Sequence, residues 1–109
     1  MVSIESSGQT ETRTVRIPNL LGLHARPAAD IVKLASRYVS EIFLAKGEME
    51  VNGKSIMGVM MLAAECGSML RVSASGPDRL QAVEALAALV RTGFGEELAD
   101  PAIWEDEAS

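Results

Sequence analysis

The sequence predicts an α+β domain in which an antiparallel sheet is covered on one face by helices. Its 109 residues, 48% of them hydrophobic, are enough for a single core and too few for two ordinary domains. The predicted elements follow the order βαββαβα, and the two adjacent strands are separated only by a turn at Lys46-Gly47. Adjacent strands joined by a tight turn pair antiparallel, and short helices between the other strands favour helices on one side of the sheet.

The first half of the chain predicts a strand, a helix and a hairpin. Residues Thr12–Ile17 alternate apolar with polar side chains, as in a half-buried strand. From Ala25 to about Tyr38 apolar residues recur at helical spacing, and Pro27 stands in the first turn, where its missing N–H has no cost. Val39–Ala45 and Met49–Val51 then predict two paired strands.

The second half predicts a short helix, a strand and a final helix. Ser55 is a favoured N-cap residue and precedes a short helix from Ile56 to about Leu62. The following strand alternates apolar residues with polar ones from Leu70 to Ser75. The last helix begins after Gly76-Pro77-Asp78 and ends at Gly93. Its predicted buried stripe consists of Leu80, Val83, Leu86, Ala87 and Val90.

The composition along the chain predicts one domain with two polar extensions. Residues 1–10 are expected to form a flexible lead, residues 11–93 the folded domain, and residues 94–109 an acidic tail. Ile103 and Trp104 form an apolar pair within that tail, so they are candidates to dock on this domain or on a partner. The acidic tail is also a candidate competitor for a basic docking patch.

The small numbers of cysteine and histidine residues argue against several classes of site. Cys66 is the only cysteine and His24 the only histidine, so we expect no internal disulfide, no Cys/His metal site and no metal ligand set. No cofactor motif is evident. The longest apolar run, residues 56–64, is too short to span a membrane, and Glu5 and Glu11 interrupt the N-terminus where a signal peptide would be apolar. We therefore expect a cytoplasmic protein.

The charge distribution favours a protein partner over nucleic acid. Ten basic and seven acidic residues lie between positions 12 and 92, whereas positions 93–109 hold six acids and no base. This slight basic excess, without interleaved aromatic residues, is weak support for nucleic-acid binding. An acidic protein partner fits the folded part better.

The chemistry of the chain points to the segment around His24, where a strand gives way to a helix. A helix start offers unpaired N–H groups and the positive end of the macrodipole, so an anion is well placed there. Arg26 adds a planar cation suited to phosphate oxygens. Imidazole is a neutral nucleophile near pH 7 and can carry a labile N–P bond. His24 and Arg26 therefore predict a phosphate-carrying site.

A second candidate lies at Ser55, for which capping of the short helix is the structural explanation and phosphorylation the functional one. The Gly53-Lys54-Ser55 sequence does not complete a P-loop, because position 48 is glutamate instead of the required glycine. Met57 and Met60 follow in a helix too short to bury all its sides, and exposed methionines form adaptable contact surfaces. Lys33 becomes a partner contact if the His24 face is an interface.

Two segments resemble the HPr family, the histidine-containing phosphocarriers of the bacterial phosphoenolpyruvate-dependent phosphotransferase system. Residues 22–28 (GLHARPA) match the family's phosphohistidine motif, and residues 53–60 (GKSIMGVM) resemble its regulatory-serine motif. The resemblance covers about residues 11–93. It implies an open-faced β-sandwich, with a four-stranded antiparallel sheet covered on one face by three helices.

The resemblance also implies the roles of particular residues. Enzyme I, charged by phosphoenolpyruvate, would phosphorylate Nδ1 of His24, an EIIA domain would take the phosphoryl group, and Arg26 would stabilise the phosphate. Ser55 would be the substrate of the HPr kinase/phosphorylase. Ile56, Met57 and Met60 would form the docking surface beside His24. The chain would thus be a carrier and not an enzyme, and a lone small carrier is expected to be monomeric.

Two alternatives remain open at the level of the sequence. The first is a regulatory carrier of a nitrogen-related or incomplete phosphotransferase system, which would also use His24. The second is an interaction protein that binds a regulator when Ser55 is phosphorylated and for which His24 is dispensable. The intact His24 and Arg26 pair speaks against the second alternative as the sole role.

Overall fold

The computed structural model describes residues 9–104, and most of the predicted N-terminal lead and the last five residues of the predicted tail lie outside that range. The strands are β1 (Glu11–Arg16), β2 (Glu41–Lys46), β3 (Met49–Asn52) and β4 (Met69–Ser75). The helices are α1 (Ala25–Ala35), α2 (Ile56–Met61) and α3 (Arg79–Arg91). Two short 3-10 turns follow, at Gly93–Gly95 and Pro101–Trp104. The predicted order βαββαβα is confirmed.

The four strands form one antiparallel sheet in the order β1-β4-β2-β3. The predicted hairpin is present, with Lys46 opposite Met49 across the β2–β3 turn. In β4 the alternation has the expected result, because Leu70, Val72 and Ala74 are fully buried while Arg71 is exposed. Helix α3 packs against β1 and β4, and α1 packs against α2 and α3. This places the helices and the core on one side of the sheet.

The boundary between α1 and β2 differs from the prediction. Helix α1 ends at Ala35 instead of Tyr38, and β2 begins at Glu41 instead of Val39. The backbone N–H groups of Val39 and Ser40 each donate to the Asp78 carboxylate at 3.0 Å, so they do not enter the sheet ladder. The hydrogen bond from the Ser40 hydroxyl, supported by the two backbone bonds, lowers the pKa of Asp78 and keeps this acceptor charged.

The predicted burial of one residue in the apolar stripe of α3 is wrong. Leu80 is 48% exposed, and the buried side of α3 consists of Ala82, Val83, Leu86, Ala87 and Val90. At 100° per residue Leu80 lies at the edge of that face, and it stands in the first turn, where the helix has just begun.

The described residues contain no helix that is both long and apolar enough to cross a membrane. After α3 the chain turns back toward the start of α1. The turn at Gly93–Gly95 contains Phe94, a buried non-glycine residue with a φ of +61°. This reversal brings the next residue, Glu96, to the segment around His24.

Candidate functional site

The loop before His24 is fixed by a close backbone approach at Gly22. Its φ is +69°, and a Cβ there would lie 2.7 Å from the carbonyl oxygen of Ala64 and 2.9 Å from Cα of Glu65. The next N–H, of Leu23, donates to the same Ala64 oxygen at 2.9 Å. Only glycine fits this conformation and this space. The glycine of the GLHARPA segment is therefore explained by the packing of the loop on residues 64–65.

His24 lies at the start of α1, as the sequence predicts, and is its N-cap residue. Its backbone is extended, with φ −76° and ψ −170°, and its carbonyl oxygen accepts the N–H of Ala28 at 3.0 Å. Its side chain makes no capping hydrogen bond and is 37% exposed. The imidazole is thus placed at a helix start without being used by the helix.

The partner of the imidazole is Glu96, which is 72 positions away in sequence. Nε2 of His24 lies 2.7 Å from Oε2 of Glu96, and Nη1 of Arg26 lies 3.3 Å from the same oxygen. The amide of Asn19 donates to Oε1 of Glu96 at 3.0 Å. Arg26 also donates through Nη2 to the Phe94 carbonyl at 3.1 Å. The structure therefore joins His24 and Arg26 through a carboxylate that is only 11% exposed.

The electrostatics of this cluster favour the ionised form of the Glu96 carboxyl. Burial alone would raise the pKa of the Glu96 carboxyl, but the hydrogen bonds from Asn19 and His24 and the positive charge of Arg26 outweigh it and hold the pKa below its usual value. An ionised carboxylate can only accept hydrogen bonds, so Nε2 of His24 carries the hydrogen in this contact. In the neutral ring Nδ1 then keeps its lone pair and is the ring nitrogen that is able to act as a nucleophile.

Glu96 is the residue that the sequence reasoning missed. It falls in the segment predicted to be an acidic tail, and nothing in its local pattern distinguishes it from the neighbouring Glu97. The available signal was chemical: a histidine and an arginine two positions apart at a helix start, where a carboxylate from elsewhere in the chain would be stabilised. The prediction that the acidic tail competes for a basic patch was consistent with such a contact, but it did not identify Glu96.

The second predicted centre, Ser55, is built from local contacts. Ser55 is the N-cap residue of α2, and its Oγ accepts the N–H of Gly58 at 3.1 Å, so the predicted cap is confirmed. Helix α2 packs against α1 and exposes 45% of Ile56, 75% of Met57 and 43% of Met60. The three predicted docking residues thus form an exposed apolar surface beside Ser55. We call residues 56, 57 and 60 the α2 patch.

Lys33 is placed differently from the α2 patch. It is exposed in the last turn of α1 and borders a groove that Arg37 and Leu89 also line. Its role as a docking residue stays a prediction.

Within residues 9–104 there is no group of three or more histidine, cysteine, aspartate or glutamate residues that could hold a metal ion.

Comparison with known proteins gives a consistent result. Residues 11–92 match the family model described as the PTS HPr component phosphorylation site. The chain is 51% identical over 85 residues to the phosphocarrier protein HPr of Treponema pallidum, covering 78% of this chain and 97% of that one.

Two solved structures from Thermoanaerobacter tengcongensis share the fold. HPr-C-His superposes with a TM-score of 0.77 at 45% identity, covering 81% of this chain and 99% of the other. A structure described as an HPr dimer gives a TM-score of 0.64 at 45% identity, with coverages of 75% and 94%. The predicted open-faced α+β fold is confirmed, and the chain belongs to the HPr family of phosphocarrier proteins.

Proposed function

We propose that His24 accepts a phosphoryl group on Nδ1 from phosphorylated enzyme I and passes it to an EIIA domain. The observation that carries this proposal is the 2.7 Å contact between Nε2 of His24 and the Glu96 carboxylate. This contact holds the hydrogen on Nε2 and leaves the Nδ1 lone pair for attack. The imidazole is also 37% exposed, as a nucleophile that must meet a second protein requires.

The transfer balances without a further reactant. The Nδ1 lone pair forms the new bond to phosphorus, the bond between phosphorus and the donor atom of enzyme I breaks, and its electron pair stays on that donor atom. The ring, still protonated at Nε2, becomes cationic, and the ionised Glu96 stabilises that charge in the way a carboxylate stabilises the imidazolium of a catalytic triad. In the transfer to EIIA, a nucleophile of that domain forms the new bond to phosphorus, the bond between phosphorus and Nδ1 breaks, and its electron pair returns to Nδ1. The protonated ring is a good leaving group for this step.

Arg26 and the start of α1 are suited to hold the phosphate between the two transfers. The guanidinium is 62% exposed and can make paired hydrogen bonds to phosphate oxygens. The first N–H groups of α1 and its dipole favour the same anion. The chain is then a substrate and a donor in a relay rather than an enzyme, and we assign this role to residues 11–93 together with Glu96, which completes the site.

Regulation at Ser55 is the second part of the proposal. We assign Ser55 as the substrate of HPr kinase/phosphorylase and the α2 patch as the surface that meets enzyme I and EIIA. A phosphate at the start of α2 is compatible with the helix dipole, and its roughly two negative charges would repel an acidic partner from the patch.

The same geometry serves a regulatory carrier of a nitrogen-related or incomplete phosphotransferase system, since that carrier would use the same histidine. Which EIIA-type protein removes the phosphate separates the two roles. A cytoplasmic, monomeric carrier is part of the proposal, and because a relative has been solved as a dimer, the mass in solution is to be measured by light scattering.

The experiment is intact mass spectrometry after incubation with phosphoenolpyruvate, magnesium and a bacterial enzyme I. We expect one added phosphate that is lost in acid, is absent from His24→Ala and is retained by Ser55→Ala. Phosphate on the His24→Ala protein, or none on the wild type with a cognate enzyme I, would overturn the assignment. The interaction role of phosphorylated Ser55 would then become the leading hypothesis.

A further inference from the structure

The residues after Glu96 are held against the loop that precedes His24. The N–H of Leu20 donates to the Glu97 carbonyl at 3.0 Å, and the N–H of Ala99 donates to the Pro18 carbonyl at 2.9 Å. Between these bonds Asn19 and Leu98 form an antiparallel bridge. We call residues 97–104 the C-terminal strap. It begins after residue 92, where the match to the family model ends.

The far end of the strap rests on the edge of the sheet. The Trp104 ring centroid lies 4.9 Å from Cζ of Arg16, a cation–π contact. The indole Nε1 lies 3.3 Å from the position a Cβ on Gly67 would take, so the ring packs on that turn. Of the two docking targets that the sequence allows for Trp104, the structure selects this domain. Trp104 is also the only tryptophan of the chain and therefore reports on the strap alone.

The near end of the strap is fixed by the candidate phosphate site itself. Arg26 holds the segment that leads into the strap through two bonds, one to the Phe94 carbonyl and one to the Glu96 carboxylate. Glu96 is further held by Asn19, the residue that bridges to Leu98. The amide of Asn19 also donates to the Gly22 carbonyl in the His24 loop. Site and strap therefore share Asn19, Arg26 and Glu96.

A phosphate on His24 conflicts with these shared contacts. Arg26 donates one N–H of Nη2 to Phe94 and one N–H of Nη1 to Glu96, so a phosphate competes with these two acceptors for the same guanidinium. The phosphate also adds about two negative charges next to the Glu96 carboxylate.

We propose that a phosphate on His24 and the docked C-terminal strap oppose each other through Arg26 and Glu96, so that phosphorylation loosens the strap. The inference rests on the proposed function in that it requires a phosphate on His24. Coupling between two sites is reciprocal, so the docked strap must weaken the hold of His24 on phosphate by the same factor. The strap thereby makes His24 a stronger phosphoryl donor.

The test uses the fluorescence of Trp104 in the full chain. Phosphate is placed on His24 with enzyme I and phosphoenolpyruvate in one sample and with potassium phosphoramidate, a small N–P donor, in another. Intact mass gives the phosphorylated fraction in each. We expect acrylamide to quench Trp104 at least twofold more efficiently in the phosphorylated protein. Unchanged quenching with His24 phosphorylated would overturn the coupling.

Matched variants separate the coupling from a general charge effect. Glu96→Gln is expected to raise quenching before phosphorylation and to shrink the further change on phosphorylation. Glu97→Gln removes the same charge one residue later, where the strap is held by the backbone carbonyl of residue 97, and should behave as wild type. Equal behaviour of the two variants would contradict the role of Glu96.

The reciprocal effect is measured as a transfer equilibrium. At fixed ratios of phosphorylated to free enzyme I, Trp104→Ala should raise the phosphorylated to unphosphorylated ratio of this chain about fivefold, the lower end of typical couplings. Trp104→Phe, which keeps a ring on Arg16, should stay near wild type. A ratio unaffected by Trp104→Ala would overturn the reciprocal effect.

The two donors distinguish failure of this inference from failure of the proposed function. If phosphoramidate labels His24 and changes Trp104 quenching while enzyme I does not label the chain, the coupling stands and the assignment of the donor falls. If neither donor labels His24, both proposals fall.

Discussion

The starts of α1 and α2 place two candidate phosphorylation residues in the same backbone position with opposite surroundings. His24 and Ser55 are both extended N-cap residues. The hydroxyl of Ser55 is used by its own helix, three residues away, whereas the imidazole of His24 makes no cap and binds Glu96 from the other end of the chain. A locally satisfied side chain suits a site that is modified from outside, and a side chain held by distant residues suits one that must react repeatedly in a fixed geometry.

The largest expected effect concerns the loop that presents His24. Gly22→Ala should lower the free energy of unfolding by about 3 kcal/mol, because a Cβ would meet the Ala64 carbonyl and Glu65 Cα in a left-handed conformation. Gly47→Ala is the matched control, since Gly47 has a φ of +59° with nothing near its Cβ position. Gly47→Ala should lower the free energy of unfolding by about 1 kcal/mol. Urea unfolding of both variants measures the difference, and equal costs would show that the close approach to residues 64–65 is not what requires glycine.

Next in size is the effect of removing the cation beside His24. Arg26→Ala should slow phosphoryl transfer from enzyme I about 100-fold, the usual cost of losing a preorganised electrostatic partner of a developing charge. Arg91→Ala removes the same charge from an exposed position at the end of α3 and should leave the rate within about twofold. Rapid-quench kinetics measures both rates. Similar slowing by the two variants would show that Arg26 affects the rate only through the net charge of the protein.

A smaller effect is expected when charge is placed at the start of α2. Ser55→Asp should lower the rate of transfer from enzyme I about tenfold at low salt, because the new carboxylate lies beside the α2 patch and faces an acidic partner. The loss should shrink as salt is raised, since salt screens the repulsion. Ser55→Asn is the neutral control that can still cap the helix. If Ser55→Asn slows transfer as much as Ser55→Asp, the effect is steric and not electrostatic.

The two helix starts also differ in how much of them the sequence predicts. The cap at Ser55 and the exposure of Met57 follow from a few adjacent residues, and the structure agrees with both. The prediction of a phosphate site at His24 and Arg26 likewise rests on a few neighbouring residues and stays a prediction. Glu96 is not predictable in this way, because its contact with His24 depends on the turn after α3 and on the strap, which involve residues far apart in sequence.

Contacts between residues far apart in sequence also explain why some predicted boundaries in the fold are wrong. Periodicity predicts that the chain enters β2 at Val39, but the side chain of Asp78, from the start of α3, takes the N–H groups of Val39 and Ser40. Leu80 similarly has an apolar side chain at nearly the right spacing, and only the packed position of α3 determines that it is exposed. Local patterns predict the elements, and contacts between distant residues determine where the elements end and what completes the site.

The smallest effect tests the local character of the Ser55 centre directly. Ser55→Ala removes the acceptor for the Gly58 N–H and should lower the free energy of unfolding by about 1 kcal/mol, whereas Ser55→Asn should keep most of the stability. Urea unfolding followed by far-ultraviolet circular dichroism measures both. Since this cap involves only residues 55–58, phosphoryl transfer to His24 should be unchanged in Ser55→Ala. A slower transfer in that variant would show that the two helix starts are coupled through the packing of α1 on α2, and the comparison between a local and an assembled centre would no longer hold.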